Sequence, residues 1–200
     1  MDNLSNIYYN NDTKIKTIIT NLLKMLIERK LINNLNNLNK IISEFKISNI
    51  YNLKLDNKDR MGNDIYQLIF LNETITSTAK NSPIVNYLKN NIYTIFIIEN
   101  INSKHIQILK SMYNNVEIFT MLEFTINIID NIYVPKHILL TLEEKTELLE
   151  DYVNIKEYQF AKIFITDPIA KYYGAQKGDI FRIIRPSEAT GESIYYRLVI

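Results

Sequence analysis

Between Lys14 and Leu31 the apolar positions Ile15, Ile18, Ile19, Leu22, Leu23, Leu26 and Ile27 recur at helical spacing. They share one side of an α-helix and predict a helix with a wide apolar face. The Asn-rich tract Asn33–Lys40 keeps that period through Leu35, Leu38, Ile41 and Ile42, so a second helix is at least as well supported as a low-complexity segment. A polar, turn-rich stretch follows from Asn52 to Asn63. The apolar segments Ile65–Leu71, Ile92–Ile98 and Val116–Thr120 are short and rich in β-branched or aromatic residues, as strands are. Ile84–Leu88 and Ile106–Met112 lie between them, with Ser82-Pro83 and Ser103 as helix starts. This alternation predicts an α/β layer. Phe124–Ile129 reads as a further strand leading out of it.

Punctuation sharpens near residue 131, where Asn becomes scarce and beyond which lie three of the four Gly and three of the four Pro. A boundary at Asp130–Tyr133 divides the chain into residues 1–131, an α/β domain, and 132–200, a small α+β domain. Thr141-Leu142-Glu143-Glu144 has the form of a capping box and opens a helix to about Tyr152. Asp167-Pro168 supplies an N-cap followed by proline at the first helical position, and Gly174 stands where a left-handed closing residue is wanted. Lys177-Gly178-Asp179 is a turn, Ile180–Arg185 a strand stopped by Pro186, Ser187–Glu192 a loop around Gly191, and Ile194–Val199 a final strand. The apolar ending Leu198-Val199-Ile200 fits a terminus held in a sheet or against a neighbour.

Composition narrows the chemistry. At 46% hydrophobic and 22% charged, the chain is globular rather than disordered. A net charge of +1 offers no broad basic footprint, so contact with nucleic acid would have to come from a local patch. No Cys and only two His exclude thiol chemistry and leave zinc centres with almost no ligands. No apolar run approaches the roughly 20 residues of a membrane span, and no signal peptide is legible, so a soluble, untargeted protein is expected. Abundant Asn, Ile, Lys and Tyr point to an AT-rich genome and to a large DNA virus as one source. Glu99, at the end of a predicted strand, is what a metal-dependent nuclease would use, but Asn100-Ile101 follow it and no Lys occupies the usual place. The segment from Gly174 to Gly178 lacks the Gly-Lys-Ser/Thr ending of a phosphate loop.

Several motifs stand in a specific order: Val134-Pro135-Lys136-His137, Thr166-Asp167-Pro168-Ile169-Ala170-Lys171-Tyr172-Tyr173-Gly174, Lys177-Gly178-Asp179, Ile183-Ile184-Arg185-Pro186-Ser187-Glu188, and Gly191 with Tyr196-Arg197. In these the chain resembles the C-terminal assembly domain of the fifth subunit of eukaryotic DNA-directed RNA polymerases, a domain that archaeal polymerases share. The resemblance implies an N-terminal jaw-like domain followed by an assembly domain. It also implies a non-catalytic subunit that docks on the largest polymerase subunit, among other subunits, and helps form the jaw around downstream duplex DNA. No cofactor, metal, membrane or small-molecule substrate is implied. Localisation would be nuclear for a cellular protein, and virion and host cytoplasm for a viral one. The alternative is a stand-alone DNA-binding or transcription-regulatory module of the same fold.

Tyr172, Arg182, Arg185, Tyr196 and Arg197 are the partner-binding candidates, because Arg and Tyr combine large contact area with directional hydrogen bonds. Lys54, Lys58 and Arg60 are the DNA-proximal candidates. Asp167, Pro168, Gly174, Gly178 and Gly191 serve as structural punctuation. Plainer readings stand beside these. Arg185 and Arg197 could pair with Glu188 and Glu192 across a hairpin; one of Tyr172 and Tyr173 must face the core; Lys54, Lys58 and Arg60 alternate with Asp56 and Asp59 as a solvated loop would. His105 and His137 read as hydrogen-bonded structural residues.

Overall fold

The computed structural model describes residues 11–33, 35, 38–47, 50–78, 82–88, 92–151 and 156–200. The backbone divides into two compact units, Met1–Ile126 and Asn127–Ile200. Among the described residues no helix is long and apolar enough to cross a membrane.

In the first unit, helices α1 (Asn11–Glu28) and α2 (Leu38–Ile47) precede strands β1 (Ile50–Lys54), β2 (Ile65–Ile75), β3 (Tyr93–Ile101) and β4 (Val116–Thr120). Helices α3 (Pro83–Tyr87) and α4 (Ser103–Met112) form the crossovers. The sheet runs β1-β2-β3-β4, with β2, β3 and β4 parallel and β1 antiparallel on the outside. Parallel neighbours need such crossovers and burial on both faces, which explains the unbroken burial from Tyr66 to Leu71. On one face Ile69, Leu71, Phe96, Ile98, Val116 and Ile118 pack with Ile84, Val85, Leu88 and Leu109 from α3 and α4. On the other, Phe45 of α2 meets Phe70 with ring centroids 4.4 Å apart. Ile18, Ile19, Leu22, Leu23 and Leu26 of α1 are buried, as their spacing predicts.

Sequence and structure part at four places in this unit. The stretch Asn52–Asn63 begins inside β1, which is hard to see because Leu53 is its one fully buried position. The helix expected over Asn33–Lys40 starts at Leu38. Before it, Leu31 O accepts from Asp56 N and Asn57 N, and Asn33 N donates to Asp56 Oδ2 at 2.7 Å, so 31–33 is tied to the loop after β1. Residues 34, 36 and 37 lie outside the described set. Helix α4 is capped by Asn102, whose side chain accepts from Lys104 N at 3.0 Å, rather than by Ser103. Phe124–Ile129 forms no strand; Met121–Phe124 and Ile128–Asp130 are 3-10 turns. There Glu123 reaches back to Thr120 N at 2.5 Å, a local bond that prevails over β propensity.

The second unit has the strand order β5-β7-β8-β6, from β5 (Lys136–Leu139), β6 (Ala161–Ile163), β7 (Ile180–Ser187) and β8 (Gly191–Val199). Helix α5 (Leu142–Asp151) covers one face and α6 (Pro168–Tyr172) the other. The Thr141–Glu144 capping box closes in both directions, at 2.9 and 3.2 Å. Tyr152 lies outside the described residues. Asp167 Oδ1 accepts from Ile169 N at 2.9 Å, and Gly174 ends α6 at φ +63° with Ala175 N bonded to Ala170 O. Pro186 does not stop β7. The strand continues to Ser187 because pairing with β5 has ended at Ile184, so the missing N–H breaks no ladder there. The hairpin is correspondingly tight, closing at Ser187↔Gly191 with Gly191 at φ +76°. Ile200 N donates to Ile163 O and Ile200 O accepts from Ile165 N, which holds the last residue against β6.

Candidate docking surface and the loop after the first strand

Side chains alternate along β7, and the ladders carry that alternation across the sheet. Arg182 stands between Ile138 on β5 and Tyr196 on β8; one row further out, Ile184 stands between Lys136 and Ile194. These six positions share the face on which α5 packs Leu148 against Ile180 and Leu198. Arg185 and Arg197 lie on the opposite face, beside Phe181 and Ile183, where α6 packs. The partner-binding candidates therefore do not form one surface.

Each candidate has a distinct setting. Tyr172 is buried with 5% exposure, and its ring meets Tyr173 at 5.4 Å; it is held by the core and presents no open surface. Tyr196 packs against Phe160 at 6.1 Å. The Arg185 guanidinium lies 5.1 Å from the centre of the exposed Tyr195 ring, a cation–π contact that orients it. Among the described residues Arg185 and Arg197 form no ion pair with Glu188 or Glu192. Arg182 Nε is shielded from solvent and has no hydrogen-bond acceptor among the described residues. Gly174, Gly178 and Gly191 all have positive φ, between +63° and +93°, as their roles in a cap and two turns require. His137 meets Pro135 O at 2.7 Å through Nδ1 and faces Phe181 edge-on. Burial lowers its pKa, against the opposing pull of that carbonyl, so it is a packed structural residue.

In the first unit Lys54, Lys58 and Arg60 are exposed, and the loop that carries two of them is firmly built. Asp59 Oδ1 accepts from Met61 N and Asn63 N, both at 2.8 Å, while Oδ2 accepts from Asn63 Nδ2 at 2.8 Å and Tyr66 Oη at 2.9 Å. Burial pushes this carboxyl up, but the donors from Asn63, Tyr66 and Met61 outweigh it and hold it below the usual range. Asp59 thus spends both oxygens on the protein's own donors, while the exposed Asp56 accepts from Asn33 N through Oδ2.

Tyr66 leads to a cluster that sequence reasoning missed. Its ring stacks on Tyr93 at 4.5 Å; Tyr93 Oη donates to Glu117 Oε1 at 2.7 Å, and Glu117 accepts a two-pronged pair from Arg29, each bond 2.8 Å. Burial alone would raise the Glu117 carboxyl, yet the Arg29 guanidinium and the Tyr93 hydroxyl bring it below the usual range. The signal was present: Glu117 is a lone acid inside an apolar strand. Its partner lies 88 residues earlier, beyond the reach of any local pattern. Glu99, by contrast, is exposed, and among the described residues no three His, Cys, Asp or Glu gather into a metal-holding group.

Comparison with known proteins decides the family. Residues 126–199 match the family described as RNA polymerase Rpb5, C-terminal domain. A subunit 5 of DNA-directed RNA polymerase from Acanthamoeba polyphaga mimivirus is 30% identical over 199 residues, covering 95% of this chain and 94% of the relative. The chain belongs to the RNA polymerase subunit 5 family. Other members align over less. A subunit of DNA-directed RNA polymerases I, II and III from Dictyostelium discoideum is 48% identical over 85 residues, 42% of this chain and 43% of the relative. The DNA-directed RNA polymerase subunit Rpo5 of Methanocaldococcus jannaschii is 49% identical over 71 residues, 36% of this chain and 90% of that shorter protein. The match thus spans less than half of the Dictyostelium subunit, while the viral and archaeal relatives are covered nearly end to end.

Proposed function

We propose that this chain is a non-catalytic subunit of a multisubunit DNA-directed RNA polymerase. Its C-terminal unit docks on the largest subunit, and its N-terminal unit forms part of the jaw around downstream DNA. The observation that carries this reading is the alignment with the mimivirus subunit over both units, not over the C-terminal motifs alone. Docking is assigned to the sheet of β5, β7 and β8, with Arg182 and Tyr196 on its α5-side face and Arg185 and Arg197 on the opposite face as the candidates. Lys54, Lys58 and Arg60 are the groups proposed to approach DNA phosphates, from a loop that Asp59 fixes through bonds to Met61, Asn63 and Tyr66. The protein would act in the nucleus if its source is cellular, and in the virion and host cytoplasm if it is viral.

The test is recovery of the tagged full-length chain from its native source, with bound proteins identified by mass and the eluate assayed for RNA synthesis on a DNA template. Co-elution of both large polymerase subunits with template-dependent synthesis is expected. Recovery without them in mild salt, together with salt-sensitive duplex binding, would replace this reading with a stand-alone DNA-binding module. Tyr196→Ala is expected to weaken assembly with the fold retained, and Arg185→Ala tests the opposite face; a variant that unfolds identifies that residue as structural.

A further inference from the structure

The two faces of the C-terminal sheet are not equally complete. On the α6 face Arg185 is exposed and lies over the Tyr195 ring, whereas on the α5 face Arg182 keeps its Nε away from water with nothing to accept its proton among the described residues. A shielded donor in that state is unfavourable and is normally matched by protein or water. Among the strand positions of that face the one acid is Glu192, placed opposite Pro186 at the hairpin end, two rows beyond Arg182. Around the arginine the surface is apolar: Ile138 beside it, Ile184 in the next row, and Ile194, which is 55% exposed. Lys136, across from Ile184, adds a second positive charge.

From this juxtaposition, and resting on the proposed subunit role, we infer that the α5-side face of β5, β7 and β8 is the docking site. Its occupant is a segment of a neighbouring polymerase chain that brings an aspartate or glutamate to Arg182, beside an apolar side chain seated over Ile184 and Ile194. The chemistry favours a polypeptide over a nucleic acid. Phosphates would meet Arg182 and Lys136 with isoleucines between them, whereas a carboxylate flanked by an apolar residue pairs with the half-buried guanidinium and covers the isoleucines together. Desolvation by those isoleucines also strengthens the arginine–carboxylate pair.

The experiment compares tagged full-length variants expressed in the native source, read as recovery of the two large polymerase subunits, with melting temperatures measured for each purified chain. Arg182→Glu is expected to reduce recovery at least about tenfold, the effect of losing roughly 1.4 kcal/mol. Ile194→Asp, at a position with little packing to lose, is expected to do the same with an unchanged melt. Lys104→Glu, an equal charge reversal on the exposed side of α4 in the other unit, is expected to leave recovery within about twofold of the unaltered chain. If Arg185→Glu abolishes recovery while Arg182→Glu and Ile194→Asp do not, docking uses the opposite face and the inference fails. Duplex DNA captured by the isolated chain and lost in Arg182→Glu would overturn the choice of a polypeptide. Failure of the unaltered chain to recover either large subunit would instead sink the subunit role itself, and the inference with it.

Discussion

In the C-terminal unit Asp167 caps α6 from two residues away, and Thr141 and Glu144 cap α5 from three. In the N-terminal unit Arg29 meets Glu117 across 88 residues, and Asn21 donates to Phe124 O across 103. The first kind of bond demands particular residue types at fixed spacing, because only a few side chains reach the relevant amide and only glycine enters the left-handed region without strain. The second kind rests on a sheet buried on both faces, which tolerates exchange among Ile, Leu, Val and Phe provided volume is kept. That difference is why quotable motifs crowd the C-terminal unit while the N-terminal unit shows chiefly periodicity.

The sharpest way to break the contrast is Glu117→Ala. It leaves Arg29 charged and enclosed, so the N-terminal unit should lose about 3–5 kcal/mol while the C-terminal unit is unaffected. Urea unfolding with hydrogen exchange resolved to each unit would show it; equal losses in both units would mean that they do not unfold separately. The double replacement Arg29→Met with Glu117→Leu is expected to recover most of the loss, since it removes the stranded charge. Acid should act in the same direction. The stability that Glu117 supplies is complete above the ordinary glutamate pKa of about 4.3 and is lost as pH falls through its lowered folded value. Hydrogen exchange across that acidic range would reveal an N-terminal loss that the Glu117→Leu, Arg29→Met chain lacks.

Next in size is Gly174→Val, which forces a β-branched residue to φ +63° and should cost the C-terminal unit about 2 kcal/mol. An unchanged thermal melt would refute the cap. Asp167→Ala should remove about 1 kcal/mol from the same unit, measured by the same melt. The smallest effect tests whether the N-terminal unit also contains local punctuation. Lys30 closes α1 in the left-handed region at φ +61°, with Leu31 N returning to Leu26 O at 3.0 Å. Lys30→Gly should stabilise that unit by about 0.5 kcal/mol, and a loss instead would mean that the lysine side chain contributes more than its strained backbone costs.

Legibility followed the range of the forces involved. Helix α1, the three parallel strands and the caps of α5 and α6 were readable because period, propensity and cap chemistry all act within a few residues. Strand β1 was not, since its place comes from pairing with β2 and not from a buried pattern of its own. Phe124–Ile129 misleads because its β propensity gives way where Glu123 has a nearer amide to bond. The alternation that separates Arg182 from Arg185 was visible in the strand, but which of them lacks a partner depended on where α5, α6 and Tyr195 came to lie.

By itself, the sequence determined the capped, hairpin-closed C-terminal unit, the alternating α/β layer before it and the family resemblance, because each is encoded over a handful of adjacent positions. Only the tertiary structure decided the Arg29–Glu117–Tyr93 cluster, the bond from Asn33 N to Asp56 and the incomplete face around Arg182. Those features depend on burial and on partners brought together from distant parts of the chain, and a hydrogen-bond acceptor or a covered face exists only once the backbone has closed around it.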